Sequence, residues 1–121
     1  MVHVKRFTSK TQQYGKIGED EAVAYLLTQG FEVVARNVSG SFGEIDIIAR
    51  RQGIHYFFEV KAGRVGSGVN PAESLTEAKI RKVAKTAAYY AMIHRISEYR
   101  IEGVVVQMKG KEAEVERIDL F

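Results

Sequence analysis

The sequence predicts a single α/β domain in which helices and strands follow one another in the order αβββαββ. Apolar residues recur at helical spacing in two segments, 14–29 and 75–94. Before and after the second of these segments, short runs rich in Ile, Val, Phe and Tyr have the length of strands. We therefore expect a mixed sheet flanked by helices.

The composition is that of an ordinary globular protein, with 121 residues of which 45% are hydrophobic and 27% charged. The chain has no cysteine, which excludes disulfides, thiolate zinc sites and thiol nucleophiles. Its polar, basic start lacks the apolar segment of a signal peptide, and no apolar run is long enough to span a membrane. We expect a cytoplasmic protein that does not bind membranes. The net charge of +3 permits a polyanionic partner without requiring one.

The first elements follow from local signals. Residues 1–13 carry basic side chains without periodicity and are predicted to form a flexible arm, so that residues 14–121 form the single domain. The first helix should end at Gly30, which stands where a C-terminal cap glycine belongs. A strand over 31–38 and a turn over the Gly- and Ser-rich segment 39–43 should follow.

Two apolar runs, 44–51 and 54–62, are separated by Gln52 and Gly53 and are predicted to form a hairpin. Both runs carry apolar residues on each face. Strands of this kind are normally covered on both sides, so we expect them in the centre of the sheet.

The second half begins with a glycine-rich loop over 63–74. The second helix should then begin with either Ser74 or Thr76 as its N-cap. A buried strand over 99–109 and an edge strand over 112–121 complete the domain.

Four ionisable residues, Glu44, Asp46, Glu59 and Lys61, interrupt the apolar strands of the hairpin. A two-residue loop at its tip would place Asp46 opposite Glu59 and Glu44 opposite Lys61, all on one face. Glu44 and Lys61 could form an ion pair, but two opposed carboxylates repel each other. A shared proton, a nearby cationic side chain or a bound divalent metal would relieve this repulsion.

A metal held by such carboxylates would be a hard cation, Mg²⁺ or Mn²⁺. It would activate a water and neutralise charge on a phosphoryl group, while Lys61 would orient the nucleophile, stabilise negative charge or act as a base. A pattern this short also arises by chance. The residues alone therefore leave a metal site and a structural ion-pair cluster equally open.

Asp46 followed by Glu59-Val60-Lys61 resembles the PD-(D/E)xK nuclease motif. More narrowly, the segments "YGKIGEDEAVAYLLTQGFEVVARN", "GEIDIIAR", "YFFEVKA" and "NPAESLTEAKIRKVAKTAAYY", in this order, resemble the YraN family of uncharacterised bacterial proteins (UPF0102). The resemblance covers nearly the whole chain after the arm. It implies a restriction-endonuclease-like fold, similar to that of the archaeal Holliday-junction resolvases.

The resemblance also implies roles for individual residues. Asp46, Glu59 and the Val60 carbonyl would hold Mg²⁺ or Mn²⁺, Lys61 would be catalytic, and Glu19 on the first helix would assist. The implied activity is an endonuclease acting on DNA, including branched DNA, and junction resolution would require two sites and hence a homodimer. The superfamily also contains non-catalytic nucleic-acid-binding members, which is the alternative function. A third is an interaction protein whose acids form structural ion pairs.

Two departures from the family pattern concern groups that would contact phosphate. Ala62 and Gly63 stand where the family commonly has Thr-Arg, and "VSGSF" (38–42) replaces a segment that often carries an aromatic and a basic residue. Arg64 is close enough to substitute for the missing arginine.

Further candidates flank the motif. Lys79, Lys82 and Lys85 lie along one side of the second helix, either as a solvated face or as contacts to the phosphate backbone. Glu44 is either a further carboxylate of the site or simply the partner of Lys61.

Overall fold

The computed structural model describes residues 10–121, with side chains from Gly15 onward. The element order αβββαββ predicted from the sequence is confirmed, with one short 3₁₀ helix added. The elements are α1 (Lys10–Thr28), β1 (Glu32–Gly40), β2 (Gly43–Arg51), β3 (Ile54–Arg64), the 3₁₀ helix (Pro71–Ser74), α2 (Glu77–Ile93), β4 (Tyr99–Lys109) and β5 (Glu112–Asp119).

Helix α1 begins earlier than the sequence predicts, at Lys10 rather than near residue 14. Residues 10–13, assigned to the basic arm from the sequence, belong to this helix, and residues 1–9 of that arm lie outside the described part of the chain. The helix ends as predicted. Gly30 has φ +85°, and the backbone N–H of Phe31 donates to the carbonyl of Leu26 at 3.0 Å, which is a Schellman cap.

The five strands form one mixed sheet in the order β1-β2-β3-β4-β5. Neighbouring strands are antiparallel except β3 and β4, which are parallel and joined by α2. The predicted edge position of β5 is confirmed. Strand β3 extends to Arg64, two residues further than predicted, because its parallel pairing with β4 continues to that point.

The two helices cover opposite faces of the sheet, and a separate apolar cluster fills each layer. Phe58 on β3 belongs to the α1 layer with Leu26, and Phe57 belongs to the α2 layer with Ala87. Both phenylalanines have no exposed surface. The prediction that β3 is buried on both faces and central in the sheet is thus confirmed.

Helix α2 begins at Glu77, with Thr76 rather than Ser74 as its N-cap. The Thr76 hydroxyl accepts a hydrogen bond from the backbone N–H of Lys79 at 3.4 Å.

None of the helices in the part of the chain that the structure describes combines the length and the apolarity needed to cross a membrane.

The regular alternation of faces breaks in the β1–β2 ribbon near its turn. Ile47 packs in the α1 layer, but Ile45, two residues away, packs in the α2 layer. Asn37, beside this position on β1, has φ +52°, a left-handed conformation that asparagine tolerates better than most residues. Asn37 and Asp46 lie between the pairs Arg36–Ile47 and Val38–Ile45. At this position the buried side chains of the ribbon switch from the α1 face of the sheet to the α2 face.

Candidate functional site

The hairpin register predicted from the sequence is confirmed as far as Ile47, and then the two strands separate. Paired residues run from Arg51 and Ile54 to Ile47 and Phe58. At the next position, the backbone N–H of Val60 donates to Asp46 Oδ2 at 2.7 Å. A side-chain carboxylate thus takes the place that a strand carbonyl would fill in a continued ladder.

Asp46 and Glu59 lie close together at this opening, as the sequence predicts. The pKa of Asp46 is raised from 3.8 to about 7, first because the carboxyl is buried and second because the negative charge of Glu59 is near. The hydrogen bond from Val60 opposes this rise without cancelling it. Without a metal, a proton on Asp46 therefore relieves the carboxylate repulsion below about pH 7.

Lys61 forms its ion pair with Glu59, with Nζ 3.3 Å from Oε1, and both side chains are partly buried. Of the two alternatives for Glu44, the cross-strand ion pair with Lys61 does not form, because the strands separate before Glu44 comes opposite it. Glu44 is exposed and lies on the rim of the same cleft.

These groups line one open cleft of about 230 Å³. Its first wall is formed by β2 and β3 and its second by the start of α2. The lining residues are Gly43, Glu44, Asp46, Glu59, Lys61, Lys79, Lys82 and Val83. The cleft therefore combines three carboxylates with three lysines, and two of these lysines come from α2.

Glu19, the predicted helix acid, lies behind this cleft rather than on its lining. Its Oε1 accepts hydrogen bonds from Arg36 Nε and Asn37 Nδ2, each at 3.0 Å. Its negative charge nevertheless contributes to the raised pKa of Asp46. Arg36 and Asn37 were not predicted from the sequence, although an asparagine within a strand run is a signal for an unusual backbone conformation.

The other predicted nucleic-acid contacts divide into two groups. Lys79 and Lys82 line the cleft, whereas Lys85 lies one turn further along α2 beside a second groove. Arg64 is exposed at the end of β3, opposite Met108 of β4, and does not line the cleft. The structure therefore brings two of these four cations to the acidic residues.

The donors at the opening suit a hard cation. Among residues 10–121, no group of three or more His, Cys, Asp and Glu side chains is arranged to hold a metal. Asp46 and Glu59 supply two carboxylates, and the Val60 carbonyl faces the same side of β3 as the N–H that reaches Asp46. Oxygen donors of this kind, completed by water, fit Mg²⁺ or Mn²⁺.

Fold and site together define a mixed α/β domain whose central hairpin opens onto a carboxylate and lysine cleft. The chain belongs to the Uncharacterised protein family UPF0102, whose model matches residues 18–120. It is 37% identical over 113 residues to a UPF0102 protein of Helicobacter pylori (strain G27), covering 93% of this chain and 96% of the relative. It is 38% identical over 104 residues to a UPF0102 protein of Syntrophotalea carbinolica, covering 84% and 85%. A UPF0102 protein of Persephonella marina is 46% identical over 79 residues, covering 64% of this chain and 67% of the relative.

Proposed function

We propose that this protein is a divalent-metal-dependent endonuclease that hydrolyses phosphodiester bonds in structured or branched DNA. The observation that carries the proposal is the pair of neighbouring carboxylates, Asp46 and Glu59, with Lys61 beside them at the point where two central strands separate. Elevated carboxyl pKa values of this kind concentrate at functional sites. The resemblance of Asp46 and Glu59-Val60-Lys61 to the PD-(D/E)xK motif agrees with the same chemistry.

Asp46, Glu59 and the Val60 carbonyl would hold Mg²⁺ or Mn²⁺. When bound, the cation would lower the pKa of a water and neutralise charge on the phosphoryl group. A cation would stabilise the ionised form of Asp46, whose pKa is raised to about 7 first by burial and second by the negative charge of Glu59.

Lys61 would position the attacking water or stabilise the negative charge that develops on the phosphate oxygens. Its ion pair with Glu59 fixes the ammonium group beside the carboxylates. Lys79 and Lys82 on the opposite wall would contact phosphates that flank the scissile bond. Glu19 would act on Asp46 through its charge from behind the cleft, held by Arg36.

The test is cleavage of end-labelled linear, flapped and four-way-junction DNA in the presence of Mg²⁺ or Mn²⁺. Wild type should cut, and Lys61→Ala should not. Lys109→Ala removes an exposed lysine on β4 and is the matched control, which should cut like wild type. Cutting that persists unchanged in Lys61→Ala would contradict the assignment of this cleft as the active site.

A non-catalytic nucleic-acid-binding module is the second candidate function. Two observations favour it: the absence of a three-ligand acidic group among the described residues, and the Ala62-Gly63 pair after Lys61. This alternative predicts salt-dependent DNA binding without cleavage in any metal. If a junction is the substrate, two clefts must act together, and light scattering of the complex would then give the mass of two protein chains plus one DNA junction.

A further inference from the structure

A second groove, of about 420 Å³, lies on the exposed side of α2, next to the acidic cleft. It is lined by Phe42, Lys85, Ala88, Tyr89 and Met92. Phe42 is 50% exposed and Tyr89 is 43% exposed, although each carries a large aromatic ring. Their rings meet edge to face at 6.1 Å, so each leaves part of its surface open to solvent.

The exposure of these two rings is not explained by the core. Tyr90, the neighbour of Tyr89, packs inside the α2 layer against Phe57, with ring centroids 5.7 Å apart. Phe42 occupies the two-residue turn between β1 and β2, where polar residues and glycine are usual. Its position carries an aromatic ring onto the surface of α2.

The groove adjoins the cleft at two points. Gly43, which lines the cleft, directly follows Phe42 in the chain. Lys82 of the cleft and Lys85 of the groove lie about one turn apart on α2. A ligand that enters the cleft therefore reaches the aromatic groove by continuing along the helix.

The charge along this path favours a polyanion. Lys79, Lys82 and Lys85 are all exposed and span about 9 Å of α2, a length comparable to a few nucleotides of one strand. The side chains that line the groove include no acid. Aromatic rings beside a row of lysines are the combination that proteins use to bind unpaired nucleic-acid strands.

We infer that Phe42 and Tyr89 form a stacking site for an unpaired nucleobase, and that Lys85 contacts the adjoining phosphate. The inference rests on the proposed function and narrows its substrate class to DNA with at least one unpaired base beside the cleaved bond. A base of a continuous duplex is held in its own stack and does not reach the rings without being extruded. The site thus selects flaps and single strands over linear duplex and over fully paired junctions.

The test compares the affinities of a single-stranded oligonucleotide and of its duplex by fluorescence anisotropy, in EDTA so that no cleavage occurs. Tyr89→Leu and Phe42→Leu should each weaken single-strand binding by about 5- to 150-fold, the range that one stacked base contributes. Duplex affinity should change less than about twofold, since phosphate contacts remain. Phe121→Leu, at a residue that is 72% exposed outside the groove, is the matched control and should leave both affinities unchanged.

Lys85→Gln gives an independent signature. Loss of one phosphate contact should make the plot of log single-strand affinity against log salt concentration less steep by about 0.7. Tyr89→Leu should leave this slope unchanged, because a stacking contact releases no counterion.

Several outcomes would overturn the stacking site. One is an unchanged single-strand affinity in Tyr89→Leu, and another is an equal loss on single strand and duplex. A dimer that forms in wild type without DNA and is lost in Tyr89→Leu, with DNA binding intact, would assign the groove to a second copy of the chain. Cleavage by the same preparations tests the proposed function separately. If Lys61→Ala abolishes metal-dependent cutting, the nuclease assignment holds even when the stacking site is contradicted. Wild type that binds neither form of DNA would overturn both.

Discussion

Replacing Asp46 with asparagine should stabilise the metal-free protein at alkaline pH, although the residue is central to the proposed site. In the folded protein, Asp46 keeps its proton up to about pH 7, whereas its ordinary pKa is 3.8. The folded state therefore binds more protons than the unfolded state between these values, and stability falls as pH rises through this range. Asparagine cannot ionise, and its amide oxygen can still accept the hydrogen bond from Val60.

The size of the effect follows from the pKa. Each pKa unit corresponds to about 1.4 kcal/mol, so the ionised form of Asp46 costs the folded protein about 4 kcal/mol above pH 7. Between pH 5 and pH 8, wild type should lose about 3 kcal/mol of unfolding free energy that Asp46→Asn does not lose. Mg²⁺ at 100 times its dissociation constant should return about 2.7 kcal/mol to wild type at pH 8 and nothing to the variant.

Urea unfolding in EDTA at pH 5 and pH 8, repeated with Mg²⁺, measures both effects. Glu44→Gln is the matched control, because Glu44 is an exposed carboxylate on the rim of the same cleft. It should change stability by less than about 0.5 kcal/mol at either pH. If wild type and Asp46→Asn lost stability in parallel between pH 5 and pH 8, Asp46 would not be held neutral, and the explanation of its raised pKa by burial and the charge of Glu59 would fail.

Three further predictions follow from packing and charge. Gly18→Ala should destabilise the protein by about 1–3 kcal/mol in urea unfolding, because the new methyl group would overlap the Cβ of Ala62. Gly15→Ala is the control: a Cβ at Gly15 would have no atom within 4 Å, so this change should stabilise the protein by up to about 1 kcal/mol. Equal effects of the two changes would contradict close packing of α1 on β3. Phe58→Ala should cost about 3–5 kcal/mol in the same measurement, and a cost below 1 kcal/mol would mean that the α1 layer is loosely packed. Lys79→Ala should reduce the steepness of the plot of log affinity for duplex DNA against log salt concentration by about 0.9. An unchanged slope would mean that Lys79 does not contact a phosphate.

The fold was predictable because local signals and burial agree with each other. Gly30 ends α1 in a left-handed conformation, and the Gln52-Gly53 pair sets the hairpin register that the structure confirms as far as Ile47. The β1–β2 turn was less predictable. The sequence suggests a loose turn over 39–43, but pairing continues to Gly40 and Gly43 and leaves two residues for the turn. Glycine and serine mark turns without fixing their length.

The site was only partly predictable, because its geometry depends on an interruption of strand pairing. A period-two pattern places Asp46 and Glu59 on one face, and they do come close. The same pattern extends the ladder to Glu44 and Lys61, where the real strands have separated. The interruption accompanies the left-handed Asn37 on the neighbouring strand, a tertiary feature that the hairpin sequence does not contain.

The arrangement at Asp46 is difficult to explain as a structural ion-pair cluster. Lys61 on β3 is paired with Glu59, and it is not among the groups that shift the pKa of Asp46. A cost of about 4 kcal/mol at alkaline pH is a large part of the 5–15 kcal/mol by which a typical domain is stable. Asparagine at this position would keep the hydrogen bond to Val60 and avoid that cost. A charged aspartate is advantageous here if a cation occupies the opening, so the cost of ionising Asp46, set first by burial and second by Glu59, supports the proposed metal site over a purely structural cluster.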